Sequence, residues 1–381
     1  LGVAAIPDAM VVPVLKGLTV DRFGVSEGIA HLFMAVNLFG ALIAVGILAL
    51  LNRRLPSSIL LLSSTLLSAC MMVGMATTSS WVAMLIFRCL EGGADLVLFA
   101  IPLRLIASAG DVHRYGGRIG AGFTVMMVAL AIGAGIGGGL GRDSEEVVLW
   151  AGAGIMSIMM LIAAIVSRTV DNVLRSPRPE PSKCPLIPME WLGAGFLALD
   201  RGLAALVSTS LPILLVSGFA IGSVTLGVAL AGMFLSLAIF AAPAGILADY
   251  YGGMKIRAIA AVMCGASLAG LGLMMWLPPV VVLPPCLLVY GVGAAGLMPS
   301  AFAAAVRPEA SNLVFGSLQA AGQGGYAIGV LGGLLAISIV SIPADAMLSW
   351  MFPLVGLLFI ILNGMLLIGI RSLQVGIDAS S

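Results

Sequence analysis

Twelve times along this 381-residue chain the sequence runs for about twenty positions with almost no charge. A bilayer's hydrocarbon core is ~30 Å thick, and a helix rising ~1.5 Å per residue needs about 20 apolar residues to cross it. The runs occupy approximately residues 1–19, 27–51, 56–76, 80–106, 116–141, 147–168, 191–217, 221–247, 256–277, 280–305, 312–340 and 346–370. In lipid, a helix satisfies every backbone N–H and C=O within its own segment, so runs of this length read as helices. Composition agrees, with 61% hydrophobic and 9% charged residues, where a soluble domain carries roughly 25% charged ones. The sequence predicts an all-α membrane protein of twelve transmembrane helices.

The connection SRTVDNVLRSPRPEPSKCPLIPMEW, after the sixth run, is rich in proline and charge. It divides the chain into an N-terminal six-helix bundle (1–168), a linker (169–190) and a C-terminal six-helix bundle (191–381). Lys and Arg set the orientation, because loops that stay in the cytoplasm hold an excess of them. With the N-terminus inside, the inner segments hold Arg53, Arg54, Arg104, Arg114, Arg118, Arg168, Arg175, Arg178, Lys183, Lys255, Arg257, Arg307 and Arg371. The outer loops hold only Arg22 and Arg142. Both termini and the linker are expected in the cytoplasm. The short loops and the lack of extra domains suit a bacterial inner membrane.

The two halves repeat each other. Pro13 and Gly46 recur as Pro212 and Gly245 at one constant offset, and GILA at 46–49 recurs letter for letter at 245–248. A repeat of six spans implies two bundles related by a pseudo-two-fold axis, the layout of transporters that rock around a site near the membrane midplane.

Charge inside the apolar runs is costly, about 2.5–3.5 kcal/mol per group on insertion scales, and marks a bundle interior or a water-filled cavity. Asp8 lies in the first run, Arg88, Glu91 and Asp95 in the fourth, and Asp200 and Arg201 in the seventh. Adjacent helical residues point about 100° apart, so Asp200 and Arg201 each need a partner elsewhere. The sequence predicts that Arg201 reaches Asp8 or Asp95 across the bundle, which leaves Asp200 free to carry a proton. Arg88 and Glu91, three apart, can also neutralise each other. Gln319, Gln323 and Tyr326 share one helix face in the eleventh run and join the candidate lining.

Other classes drop away. A net charge of +1 without a basic block gives no footprint for nucleic acid. Five cysteines without ligand spacing and two histidines predict neither a disulfide framework nor a metal site. No nucleophile–base pair or phosphate loop predicts an enzyme or a bound cofactor.

The chain resembles the major facilitator superfamily over essentially its whole length. Gly245, Asp249 and Gly252, with Lys255 and Arg257 displaced, look like that family's loop signature G-x-L-a-D-r-x-G-r-k. The copy at 46–54 has Leu50 where Asp249 stands. Arg88 and Gly92 in FRCLEGG resemble its R-x-x-q-G motif, with Glu91 in the Gln place. Gly133, Gly137 and Gly138 are similar to the antiporter motif G-x-x-x-G-P-x-x-G-G of the drug/proton exporters. The same glycines also suit plain close helix packing. The resemblance implies gating roles for these residues and a central cavity lined by helices one, four, seven and ten. The buried charges fall on three of those four.

The expected function is secondary active transport of a small organic solute, cationic or zwitterionic because acids outnumber bases in the spans. Export coupled to protons, or to sodium, by a monomer in the bilayer is the leading reading. An importer of a metabolite or metal chelate, and a non-transporting assembly factor of the same fold, are the alternatives.

Overall fold

The computed structural model describes residues 1–51, 54–108, 115–142, 144–175, 188–305, 312–339 and 343–378. Side chains at 45, 46, 48–51, 103, 104, 106–108, 115–120, 174, 175, 188–190, 249, 302–305, 312–320 and 373–378 lie outside the description.

Among the described residues there are twelve helical spans and no strand. They are α1 (residues 2–23), α2 (27–51), α3 (Ser57–Thr77), α4 (Trp81–Ser108), α5 (Tyr115–Leu140) and α6 (Glu145–Arg175). The second half holds α7 (188–219), α8 (Ser223–Tyr251), α9 (253–275), α10 (Pro279–Ala305), α11 (Asn312–Ile339) and α12 (Ala344–Asp378). Each falls on one of the twelve apolar runs. The chief differences are at ends. α6 continues to Arg175, into the stretch expected to be linker, because Asp171 is fixed there by accepting from Ser58 N (3.1 Å) and Ser58 Oγ (2.7 Å) at the start of α3. α9 begins at Gly253 rather than near 256, where the left-handed φ of +93° at Gly252 turns the chain straight from one helix into the next.

Ten of these spans are long and apolar enough to cross a membrane. The other two are α1, whose apolar stretch Gly2–Val14 is shorter, and α4, which carries Arg88, Glu91 and Asp95. Large apolar side chains cover the outside, among them Ile165, Ile246 and Ile368. Trp150, Trp276 and Trp350 are exposed near one end of the bundle, and Trp191, Tyr250 and Tyr251 near the other. This is the pattern of interfacial aromatic belts. The protein is an integral, multi-pass membrane protein.

Packing repeats between the halves. α1 packs on α5 and α6, α2 on α4, and α3 on α4 and α6; α7 packs on α11 and α12, α8 on α10, and α9 on α10 and α12. Adding six to each helix number turns the first set into the second. The halves meet through α5 against α8 and α2 against α11, which the same operation exchanges. One core gathers Met10, Leu18, Phe33 and Met75 in the first half, and a second gathers Leu211, Leu230, Leu268 and Phe352.

Glycines set two of these contacts. A side chain at Gly133 or Gly137 of α5, or at Gly141 just past its end, would meet Ile6, Met10 or Val14 of α1, each four residues on from the last. The counterpart in α11 runs through Gly325 and Gly329, against Ala198 and Gly202 of α7. Backbones that approach this closely gain packing that lipid cannot match.

Arg22, at the end of α1, closes the C-terminus of α3. Its guanidinium donates to Met75 O (3.1 Å), Ala76 O (2.9 Å) and Thr78 O (2.7 Å), and pairs with Glu146 at 3.3 Å. These are last-turn carbonyls that no intrahelical N–H can satisfy. Arg22→Ala is expected to lower stability by about 1–3 kcal/mol, read as a lower melting temperature of the purified protein. An unchanged melting temperature would mean that solvent serves those carbonyls equally well.

Candidate substrate and proton site

The internal charges form two separate groups. The first joins α1 and α4. Arg88, 2% exposed, pairs with Glu91 one turn along the same helix, and its other nitrogen lies 3.8 Å from Asp8 of α1. Asp95 is also within electrostatic reach of Arg88, and accepts from Asn37 Nδ2 of α2 at 3.1 Å. α4 comes this close to α2 because Gly92 packs on the Asn37 backbone and Gly40 on the Cys89 backbone. The Arg88 guanidinium also lies 5.0 Å from the centre of the Phe33 ring. Asp8 follows Pro7, whose missing N–H weakens α1 at this point.

One oxygen from each of Asp8, Glu91 and Asp95 lies within 4.8 Å of the others. Three carboxylates around one guanidinium leave two negative charges uncompensated when all are ionised. Protons, a metal cation or the cationic end of a solute can balance them. A spacing under 5 Å suits a hard divalent cation, and Arg88, paired with Glu91 and 3.8 Å from Asp8, competes with one for these oxygens. Glu91 Oε1 and Arg88 Nε are buried without a hydrogen-bond partner among the described residues. Asp8 is the open member, with 28% of its side chain exposed.

The second group belongs to the C-terminal half, and it corrects the expectation for helix seven. Asp200 is not left without a partner. Arg257 of α9 grips both its oxygens, at 2.7 Å for Oδ2 and 2.5 Å for Oδ1. Arg257 also donates to Asn363 Oδ1 of α12 (2.9 and 2.6 Å) and to Leu297 O of α10 (2.8 Å), and its guanidinium lies 4.3 Å from the Phe196 ring centre. The residue placed in a cytoplasmic loop by its likeness to a family motif is thus fully buried. α9 starts earlier than hydropathy indicates, which puts Arg257 one turn inside the helix. Lys255, two residues before it, is exposed.

Arg201 does not reach Asp8 or Asp95 either: among the described residues it makes no ion pair and no hydrogen bond. Its electrostatic neighbours are Tyr326, Asp200 and Tyr290. Tyr326 in turn feels both Arg201 and Arg88, and its hydroxyl is 2.7 Å from Ser208 Oγ. It stands between the acidic group of one half and the lone arginine of the other. Asp8, Arg201 and Gln323 are all partly open, deep within their helices. The side chains of Gln319 and Asp249 lie outside the described residues.

Of the glycine motif, Gly133 and Gly137 face α1 and Gly138 faces α8, where a Cβ would lie 2.6 Å from Ser223 O and 2.8 Å from Gly227 Cα. The halves also meet where α2 begins. His31 Nε2 is 3.0 Å from Ser210 Oγ of α7, and a Cβ at Gly28 would meet Ser338 of α11. Composition gave no reason to single out His31. The signal was available, since it is one of only two histidines and sits inside an apolar run.

Solved structures share this architecture. The human organic anion transporter MFSD10 (TETRAN) is similar at 19% identity and a TM-score of 0.61, covering 95% of this chain and 96% of that one. A bacterial homologue of the iron transporter ferroportin, in its inward-facing state, is similar at 14% identity and a TM-score of 0.71, covering 97% and 96%. At such identities the likeness speaks for the fold alone. No curated protein sequence matches the chain. The profile of the Major Facilitator Superfamily matches residues 1–199. With twelve spans in two pseudo-symmetric bundles and a family profile matching more than half of its length, the chain belongs to the major facilitator superfamily, whose members are membrane transporters and not enzymes.

Proposed function

We propose that the protein exports a small cationic or zwitterionic organic solute in exchange for protons, by alternating access between two domains (1–168 and 191–381). The observation that carries this reading is the gathering of Asp8, Glu91 and Asp95 around the single guanidinium of Arg88. Two uncompensated charges in a low-dielectric interior need a mobile cation, and a proton and a cationic solute group that compete for Asp8 would give exchange. Asp8, partly open, is the entry point; Arg88, Glu91 and Asp95 complete the site. Arg201 and Gln323, with Gln319 on the same face of α11, form the opposite wall. Asp200 and Arg257 hold α7, α9, α10 and α12 together.

Export is supported by the likeness of Gly133, Gly137 and Gly138 to the antiporter motif, and Gly138 at the α5–α8 contact gives it a mechanical place. Gly245, Asp249, Gly252 and Lys255 serve the loop that accompanies the rocking of the halves. The basic face lies in the cytoplasm of a bacterial inner membrane, with both termini inside, and the protein works as a monomer. An inert assembly factor has no use for uncompensated charge in lipid, which favours transport.

The test is proton movement into proteoliposomes that hold the purified chain and a pH-sensitive dye, with cationic, zwitterionic and anionic solutes added in turn. Asp8→Asn is expected to cut solute-dependent proton flux about a hundredfold or more, the low end for loss of a proton-transferring group, with the melting temperature little changed. Proton flux at the wild-type level in Asp8→Asn would remove this acid from coupling. Flux driven by a sodium gradient instead would change the coupling ion.

A further inference from the structure

We infer that Arg201 is the receptor for an anionic group on the transported solute, so that the solute is a zwitterion whose oxyanion end sits on α7 and whose cationic end sits at Asp8. This deepens the transport reading above and rests on it.

The reasoning starts from chemistry that Arg cannot escape. A guanidinium stays charged at any pH a protein meets, so in a membrane interior it requires an anion. Each other internal arginine in the two charge groups has one. Arg88 has Glu91 and Asp8, and Arg257 has Asp200. Arg201 has no hydrogen bond and no ion pair among the described residues. Its sequence neighbour Asp200 is within electrostatic reach, but the hydrogen bonds of both Asp200 oxygens go to Arg257. Gly322 of α11 packs beside the stem of Arg201: a Cβ there would lie 3.4 Å from Arg201 Cγ, in ordinary van der Waals contact. Tyr326 and Tyr290 flank it.

Arg201 is also partly open while surrounded by protein. That combination belongs to a cavity wall. The planar fork of a guanidinium matches a carboxylate or phosphate in a two-point contact, a geometry that lysine cannot reproduce. Among the described residues the acidic excess lies on α1 and α4 and an arginine without an ion pair on α7, so the two walls have opposite sign. A purely cationic solute would satisfy one wall and leave Arg201 unpaired. A zwitterion satisfies both.

The closing experiment has an arm that needs no knowledge of the natural solute. The full chain in proteoliposomes is treated with the arginine reagent phenylglyoxal, and modification is followed at Arg201, Arg88 and Arg257 by peptide mass spectrometry. Arg201 is expected to react while the two paired arginines do not. Added betaine, acetate or a phosphate monoester, each compared with choline chloride at equal ionic strength, is expected to slow reaction at Arg201 alone. Comparison of the carboxylates with the phosphate ester tells which oxyanion the site prefers. An Arg201 that does not react, or one that choline protects as well as betaine does, overturns the proposal.

The second arm uses the flux assay. With the most active zwitterion of the panel, Arg201→Gln is expected to raise KM about tenfold or more, the loss expected for one charge-assisted contact, and Arg201→Lys to recover only part. Flux supported by cations lacking any anionic group, and unchanged in Arg201→Gln, overturns the receptor and leaves proton coupling standing. Protection of Arg201 without proton flux from any solute does the reverse.

Discussion

Arg257→Met lowers the stability of the protein by about 3–5 kcal/mol, the typical cost of leaving one partner of a buried ion pair alone. Arg257 has no exposed surface, and it binds Asp200 of α7, Asn363 of α12 and the Leu297 carbonyl of α10 at once. Four helices of the C-terminal half converge on one side chain. Methionine keeps much of the volume and the contact with Phe196 but strips the Asp200 carboxylate of the guanidinium that bonds both its oxygens. The same logic predicts that Arg257→Met combined with Asp200→Leu recovers most of the loss, because an apolar pair of similar volume often replaces a buried ion pair at little cost. Melting temperature and the yield of monodisperse protein measure both. A single variant as stable as the wild type would show that Asp200 finds water or a proton instead, which would return it to the list of coupling acids.

Gly138→Val is expected to stop transport without unfolding either half. Gly138 of α5 and Gly227 of α8 meet backbone to backbone at the contact between the halves, and a Cβ at 138 would lie 2.6 Å from Ser223 O. Overpacking such a contact costs about 1–3 kcal/mol, which disfavours the conformation closed at this contact by up to about a hundredfold. Alternating access visits that conformation in every cycle, so the flux falls by a similar factor. Gly139→Val is the control, since nothing lies within 4 Å of its Cβ position. It should transport and melt like the wild type. Equal flux in both variants would mean that the α5–α8 contact is static during transport.

Much of the fold was legible in the sequence, because the bilayer imposes one rule on every span. Apolar length alone located the twelve helices, and the recurrence of Pro13 and Gly46 as Pro212 and Gly245 announced the pairing symmetry that the packing displays. The charges were legible as residues that require partners, and the local pair Arg88–Glu91 was legible from its spacing, but the pairs between helices were not. Asp200 and Arg257 are 57 positions apart, and nothing in either local stretch points to the other. The error at Arg257 came from its charge and its likeness to a loop signature, which set it among the cytoplasmic residues although it lies inside the ninth apolar run. The chain turns at Gly252, and the cost of burying Arg257 is met by partners on three other helices. Asp8 and Arg88 were correctly assigned to the interior, since one apolar helix cannot satisfy either alone.

The two spans that fall short of the apolar criterion are α1 and α4, and they are the two joined by Arg88 and Asp8. This bears on biogenesis. A nascent α4 leaving the translocation channel would bring three charges into hydrocarbon, at about 2.5–3.5 kcal/mol each on insertion scales. A nascent α1 brings an acid of its own, Asp8. Neither segment is a good lodger in lipid by itself, while α2 and α3, synthesised between them, are. The Arg88–Asp8 contact joins α4 to α1, and the glycine face of α5 packs against α1 beside it. An acid and a guanidinium that each lie poorly in lipid thus satisfy one another only once both helices are in place.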